Sequence, residues 1–421
     1  MKSVLQTANG EQRSSTRLWL TFILLGALAV RLLAAIFWDV CYAHGGFVYG
    51  DSDGYWTLAQ NVASGKPYEY FGRQIFRMPG YPLFLAALQT IFGTSMPILY
   101  ARLGGAVLAT VCVWQTWAIA QLLNGEKSGL IAAAIAALYP EFVLISPMIL
   151  SETLFSVFML AQVFFWIRCF ISSRWQDAIL MGLFAGLATL VKPGWILFTP
   201  GALAAIGLYR LWKRTGSIKL FLQGVVSIAV MFLALTPWAY RNYRISGRWI
   251  FTTLQGGPSL MDGLNPDADG SSNMAFMADV YERFGAKANG QVDNIEQELQ
   301  VNDYTRRAAW DWATSNPGKA CQLAVVKLMR TWSPFPNQST FSKLSIRLTM
   351  GVPYILLWIF TIYSLNCSGQ KTNFWLLFVL LAIYICGIPL LFVGSIRYRL
   401  PAMWLMCILA TKQKQQEENC I

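Results

Sequence analysis

Long uncharged runs constrain this chain more than any other feature. Residues 18–38 carry a single charged side chain, Arg31, among otherwise apolar or neutral positions. About 20 such residues are enough to cross a bilayer as a helix. A spanning segment must satisfy its own backbone hydrogen bonds, so helix is the form expected of it. Comparable runs follow at 98–123, 128–145, 149–170, 178–190, 195–211, 220–238, 344–365, 373–393 and 401–409. The chain therefore reads as an all-α polytopic membrane protein with about ten transmembrane helices. Composition agrees, since 55% of the 421 residues are hydrophobic and 13% are charged, which excludes an ordinary soluble domain. A cleaved signal peptide is the rival reading of the first run. Arg31 inside it, and the many spans after it, argue against that reading.

Charge sets the orientation. Arg168 with Arg174, and Arg210, Lys213 and Arg214 with Lys219, form short basic links expected on the cytoplasmic side. Both termini then lie inside, and two polar regions share the outer face. The division expected is a cytoplasmic segment 1–17 and a transmembrane module 18–238 containing an outer loop 39–97. An extracytoplasmic helical region 239–343, C-terminal spans 344–409 and a cytoplasmic tail 410–421 complete it. The net charge of +12 fits positive-inside loops and also attraction to anionic lipid or a phosphate-bearing substrate. Its scatter along the chain argues against nucleic acid as a partner.

Within the outer loop, residues 53–64 read as a short amphipathic helix with Ser52 or Asp53 as cap and Gly65 as stop. Trp56, Leu58, Ala59 and Val62 share one face, expected on the bilayer interface. Gly80–Phe92 is apolar but short, which suits a re-entrant or interfacial helix. In the second polar region, 292–314 has helical periodicity through Ile295, Leu299, Tyr304 and Ala308. Asn316 and Pro317 mark the start of a further helix, 317–332. Its Cys321, Leu323, Val326 and Met329 are placed to dock on the membrane.

Ionisable groups at membrane depth are costly and so mark function by default. Asp51 and Asp53 follow the first span; Glu152, Lys192, and Arg397 with Arg399 sit at ends of later spans. All fall on one face under this topology. Together they suggest a carboxylate base, Asp51, Asp53 or Glu152, acting against a phosphate held by Lys192, Arg397 and Arg399. Competing readings stand beside these. Asp51 or Asp53 caps a helix, the two C-terminal arginines reach for lipid headgroups, and Glu152 pairs structurally with Arg31 or Arg102. The eight cysteines are single and mostly in apolar runs, and His44 is the one histidine, so no cofactor is expected. A divalent ion between Asp51 and Asp53 is the less favoured alternative.

The order YGDSDGYWTLAQNVASG, FRMPGYPLFLAAL, SETLFSVF, GLATLVKPGW, TPWAYRNY with a following GG and DGLNP, then RYRLP, resembles the bacterial protein O-mannosyltransferase and aminoarabinose-transferase group of the GT-C superfamily. The similarity covers nearly the whole chain. It implies an enzyme of the bacterial inner membrane, working on its extracytoplasmic face. A sugar would pass from a polyprenyl-phosphate carrier to an acceptor on a lipid, glycan or protein. It also implies that Asp51 is the base, that Arg77 lies near the donor phosphate, and that Arg241 and Asn242 belong to the family pattern. Tyr55 and Tyr81 are further candidates for substrate contact. Lys192 stands where arginine is commoner in the group, which changes the grip on phosphate without removing the charge. The alternative class is a transporter or flippase for a lipid-linked sugar, against which no pair of matching broken helices is present. A non-catalytic scaffold would leave the grouped acids and arginines unexplained.

Overall fold

The computed structural model describes residues 2–287, 289–337, 341–367 and 374–411, and these form α-helices with no strand among them. In chain order they are α1 (Lys2–Trp38), α2 (Gly50–Ala63), α3 (Gly80–Phe92), α4 (Ile98–Asn124), α5 (Glu126–Leu138) and α6 (Pro140–Ile145). Next come α7 (Glu152–Ser172), α8 (Trp175–Val191), α9 (Phe198–Trp212) and α10 (Ile218–Ser246). The segment after α10 holds α11 (Gly256–Gly263), α12 (Met277–Arg283), α13 (Ile295–Ser315) and α14 (Pro317–Thr331). The chain closes with α15 (Leu344–Cys367), α16 (Trp375–Leu391) and α17 (Leu400–Leu409).

Six helical stretches are long and apolar enough to cross a membrane: Ser15–Ala43, Ile98–Asn124, Glu152–Ser172, Pro193–Trp212, Ile218–Ser246 and Leu344–Asn366. Their outward faces leave Trp19, Phe22, Leu25, Leu208, Leu233 and Ile359 exposed, as lipid-facing surface requires. The remaining expected spans are shorter, so these lengths do not reproduce a count of ten. The run 128–145 is broken at Tyr139, which is extended ahead of Pro140; proline disfavours the helical region for the residue before it. Arg31 explains itself there. Its guanidinium donates to the carbonyls of Ala136 (3.0 Å) and Ala137 (2.8 Å), the open end of α5. The run 401–409 forms the ten-residue α17, in which every residue from Leu400 to Ile408 is buried. It is an internal plug against α4, α5 and α15, with Trp404 stacked on Phe142 at 3.5 Å between centroids. The expected tail lies, from residue 412 on, outside the described residues.

The module's centre is α7, packed between α4 and α8, with α10 on the far side of α8. Gly182 lets α8 approach α10 until a Cβ would strike the Ser227 carbonyl. The short helix of the first loop begins at Gly50, three residues earlier than its sequence suggests, and Tyr49 is its N-cap. Trp56, Leu58 and Ala59 are buried. That apolar face turns to protein, not lipid, because α3 packs against it. Tyr55 and Tyr81 meet edge to face at 5.1 Å across that contact.

In the segment after α10, α13 starts at Ile295 with the Asn294 side chain accepting from Gln297 N at 3.0 Å, an ordinary cap. Its buried face runs through Glu298, Leu299, Val301, Asn302, Thr305 and Ala309, rotated from the face the apolar pattern suggests. The reason is that α11, α12 and the loop after α2 pack against that side of the helix and bury Leu299, Val301 and Ala309 in apolar clusters. Pro317 takes the first position of α14, as expected. Asn316 holds the N-cap position of α14 as expected, but its side chain makes no cap hydrogen bond; it donates to the Trp312 carbonyl (3.0 Å) and closes α13.

Candidate active site

A cavity of about 670 Å³ opens where α2, the loop after it, the N-terminus of α7, the turn after α8 and the turn before α17 converge beneath α11 and α12. That volume is in the range of small-molecule sites. Asp51 sits in the first turn of α2. Its Oδ1 accepts from Arg77 at 2.6 Å and its Oδ2 from Arg397 at 2.9 Å. Burial alone would raise this carboxyl, but the two guanidiniums outweigh it and hold the group down at about 2.

Arg77 arrives on a loop that is pinned along its length. Phe71 and Gly72 both adopt positive φ (51° and 76°), and a Cβ on Gly72 would overlap the Val292 carbonyl. Glycine is the residue that tolerates both demands. Val292 N donates to Phe71 O, and Leu254 N to Ile75 O. Glu298 accepts from the amides of Gln74 (2.8 Å) and Ile75 (3.1 Å). Arg241 reaches the carbonyls of Tyr68 and Gln74, each at 3.0 Å, and lies over the Tyr68 and Trp238 rings. Tyr68 in turn donates to Arg77 O and Met78 O. The Arg77 guanidinium rests on the Phe76 ring at 4.6 Å and faces Tyr55 at 5.4 Å.

The second carboxylate is Glu152, 2% exposed at the start of α7. Its Oε1 accepts from Lys192 at 3.0 Å and lies 3.7 Å from Arg397 Nε. Oε2 is buried without a partner among the described residues. Neither Arg31 nor Arg102 pairs with it; Arg102 binds Asp39 at 2.8 Å. Lys192 is the residue at which α8 stops, and its ammonium lies 5.6 Å from the Tyr398 ring. Arg397 is carried by the 3₁₀ turn Ile396–Arg399. It therefore bridges both acids.

Four expected residues thus meet at the cavity with Asp51: Glu152, Arg77, Lys192 and Arg397. Tyr55 lines it too and donates to Ser151 Oγ at 3.4 Å. Other expected residues do not join. Asp53 is exposed and accepts from the Tyr70 hydroxyl at 2.8 Å, because it points a different way from the same helical turn. Arg399 is 1% exposed. It pairs with Glu141 at 3.1 Å and binds the carbonyls of Thr331 and Ser333. Tyr81 is buried behind Tyr55. Asn242 donates to Ile250 O at 2.8 Å and accepts from Arg241, so this pair braces the loop instead of facing the cavity. Asp51 and Asp53 do not converge, and no group of three or more His, Cys, Asp or Glu suited to a metal occurs among the described residues. Arg73, Asp262 and Tyr281 also line the cavity without having stood out in the sequence. Asp262 lies within a quoted motif, DGLNP, but one acid in a turn-rich stretch carries no signal of its own.

Residues 77–240, less than half of the chain, match the family model described as dolichyl-phosphate-mannose-protein mannosyltransferase. The fold is similar to that of the archaeal oligosaccharyltransferase AglB from Archaeoglobus fulgidus in complex with an inhibitory peptide and a dolichol-phosphate. That likeness has 15% identity and a TM-score of 0.55, and covers 92% of this chain and 50% of that one. The apo form of the same oligosaccharyltransferase matches with 14% identity, a TM-score of 0.55 and the same coverage. ArnT from Cupriavidus metallidurans bound to undecaprenyl phosphate is more distant, at 14% identity and a TM-score of 0.48 over 93% of this chain and 76% of that one. No curated protein gives a significant match. The chain spans about half the length of the oligosaccharyltransferase it resembles, and at these identities the likeness is one of fold.

Proposed function

We propose that this integral membrane protein, which has the fold of the GT-C membrane glycosyltransferases, moves a sugar from a polyprenyl-phosphate carrier to an acceptor hydroxyl. The observation that carries this reading is the Asp51 carboxylate held between Arg77 and Arg397 in a cavity that also receives Glu152 and Lys192. The acceptor oxygen attacks the anomeric carbon, and the bond from that carbon to the phosphate oxygen breaks. The carrier phosphate leaves with the electron pair, and the acceptor proton passes to Asp51.

Free Asp51, held at about 2, is a poor base. A donor phosphate drawn to the same guanidiniums supplies the correction. It neutralises Arg77 and Arg397, so Asp51 gains proton affinity only when the donor is in place. Lys192 and Arg397 then face the charge that grows on the departing phosphate, where fixed cations act most strongly. Glu152, with one oxygen unpartnered, is the second candidate for the base. The cationic role at the phosphate falls to Arg77, Lys192 and Arg397, so the reaction is read as independent of a divalent metal. Chelator should leave transfer unchanged. Loss that Mg²⁺ or Mn²⁺ restores would overturn that part. The active site is read on the extracytoplasmic face from the charge of the basic links, and the membrane as a bacterial inner membrane from the family resemblance. A tag near Gly290 should then be accessible from outside and one at Gly216 from the cytoplasm.

Purified protein should release undecaprenyl phosphate from a mannosyl carrier when an acceptor is supplied. Absence of any release across mannosyl, glucosyl and pentosyl carriers would sink the reading.

A further inference from the structure

The cavity has two unlike walls. On one, Arg77, Lys192 and Arg397 face Asp51 and Glu152, three cations to two carboxylates and a formal excess of one positive charge; Arg73 lies between the walls and donates to the Tyr281 hydroxyl at 2.9 Å. The other is built from residues 253–281, and none of its lining residues is Lys or Arg. Thr253, Gln255 and Ser259 line it, and their side chains make no hydrogen bond to a described residue. The carboxylate on this wall is Asp262, which is 3% exposed. It is fixed by Ser272 Oγ on Oδ2 at 2.7 Å and by Asn273 N on Oδ1 at 2.8 Å. A carboxylate has about four acceptor positions, so about two remain for a ligand. The nearby cation, Lys327, donates to the carbonyls of Leu390 and Leu391 and does not line the cavity.

An amide, two hydroxyls and a half-used carboxylate are satisfied together only by a ligand that both donates and accepts at several points. A hydroxyl-bearing ring does this; an alkyl chain leaves them all unpaired at a cost. A carboxylate or phosphate brought against Asp262 would meet its charge at low dielectric, because the nearby Lys327 is turned to the Leu390 and Leu391 carbonyls and Arg73 to Tyr281. We propose that the wall of Thr253, Gln255, Ser259 and Asp262 is a subsite for an uncharged polyhydroxylated ring, and that Asp262 turns away rings bearing an anionic group. The inference rests on the glycosyl-transfer reading and narrows its substrate class. The ring is that of the donor or of the acceptor.

Binding in a detergent without a sugar headgroup separates these sources. The probes are undecaprenyl phosphate, its mannosyl ester, and soluble mannobiose titrated into protein saturated with undecaprenyl phosphate. The double variant Gln255→Ala/Ser259→Ala removes side chains that hold nothing else, so the fold is spared. It should bind undecaprenyl phosphate within twofold of wild type. If the ring is the donor's, affinity for the mannosyl ester falls about tenfold. If it is the acceptor's, affinity for mannobiose falls about tenfold instead. Asp262→Asn should reduce discrimination between mannobiose and a uronic-acid disaccharide, or between the corresponding lipid esters, about tenfold. Both ring affinities within twofold of wild type in the double variant would overturn the subsite, whether or not Asp262→Asn folds. Unchanged discrimination in a folded Asp262→Asn would overturn the filter. Wild-type protein that binds the mannosyl ester yet never releases undecaprenyl phosphate overturns the enzyme reading alone, because the binding comparison still stands.

Discussion

Arg397 and Arg399 stand two residues apart on one 3₁₀ turn and serve opposite ends. Arg397 is 28% exposed in its side chain and faces the cavity, pairing with Asp51. Arg399 is 1% exposed and faces the protein, pairing with Glu141 and the carbonyls after α14. The same division recurs in the loop after α2, where Arg77 faces the cavity while Arg241 and Glu298 hold the loop from behind. Charge in this molecule is therefore of two kinds. Asp51, Arg77, Lys192 and Arg397 are partly wet and free to exchange partners with a ligand, while Glu152 beside them is buried. The groups behind them, Arg399 and Glu298 dry and Arg241 half-buried, bond to the protein and hold the first kind in place.

The largest effect should come from the wet set. Asp51→Asn keeps the shape but not the base, and transfer should fall about 10²–10⁴-fold while donor binding and thermal stability are kept. Arg397→Ala should instead weaken donor binding. A variant at Asp51 that unfolds the protein and spares turnover per folded molecule would erase the distinction.

Next in size is Arg399→Ala, which strands the Glu141 carboxylate in a dry site. Breaking a buried pair costs about 3–5 kcal/mol, read as a lowered unfolding temperature in detergent. Pairing it with Glu141→Gln should recover part of that loss. Full stability with lost donor affinity would put Arg399 among the wet residues after all.

A smaller effect belongs to Glu298, outside the spans and 4% exposed. Burial, only partly offset by the Gln74 and Ile75 amides, raises it from 4.5 to about 6. The folded state then binds the proton more tightly than the unfolded state between those values. Stability should fall as pH rises through that window, by roughly 2 kcal/mol at 1.36 kcal/mol for each unit. Glu298→Gln should flatten the dependence, since its carbonyl still accepts from the loop. Hydrogen exchange at Gln74 and Ile75 across this range reads it, after correction for intrinsic exchange. An identical pH profile in both proteins would remove Glu298 from the dry set.

The smallest is Asp53→Asn. Its carboxylate is exposed and accepts from Tyr70, so transfer should stay within about twofold of wild type. A dead Asp53→Asn beside an active Asp51→Asn would move the base two residues along the chain.

The apolar runs determined the helices almost wherever they were long. Hydrogen-bond satisfaction in lipid is a local demand, and α4, α7, α10 and α15 meet it within themselves. Pro317 at the head of α14 and the bounds Gly80–Phe92 of α3 were local in the same way. The gathering of Asp51, Glu152, Arg77, Lys192 and Arg397 was anticipated only as a shared face. Only the tertiary structure decided which of them touch, because partners up to 346 positions apart in the chain leave no spacing to read. It also turned Trp56, Leu58 and Ala59 inward and buried α17. An apolar face records only that water is excluded, and lipid and protein exclude it alike. It placed Arg399, Arg241 and Glu298 behind the cavity for a related reason. A charged residue in a sequence shows its charge; what faces that charge depends on how neighbouring helices pack.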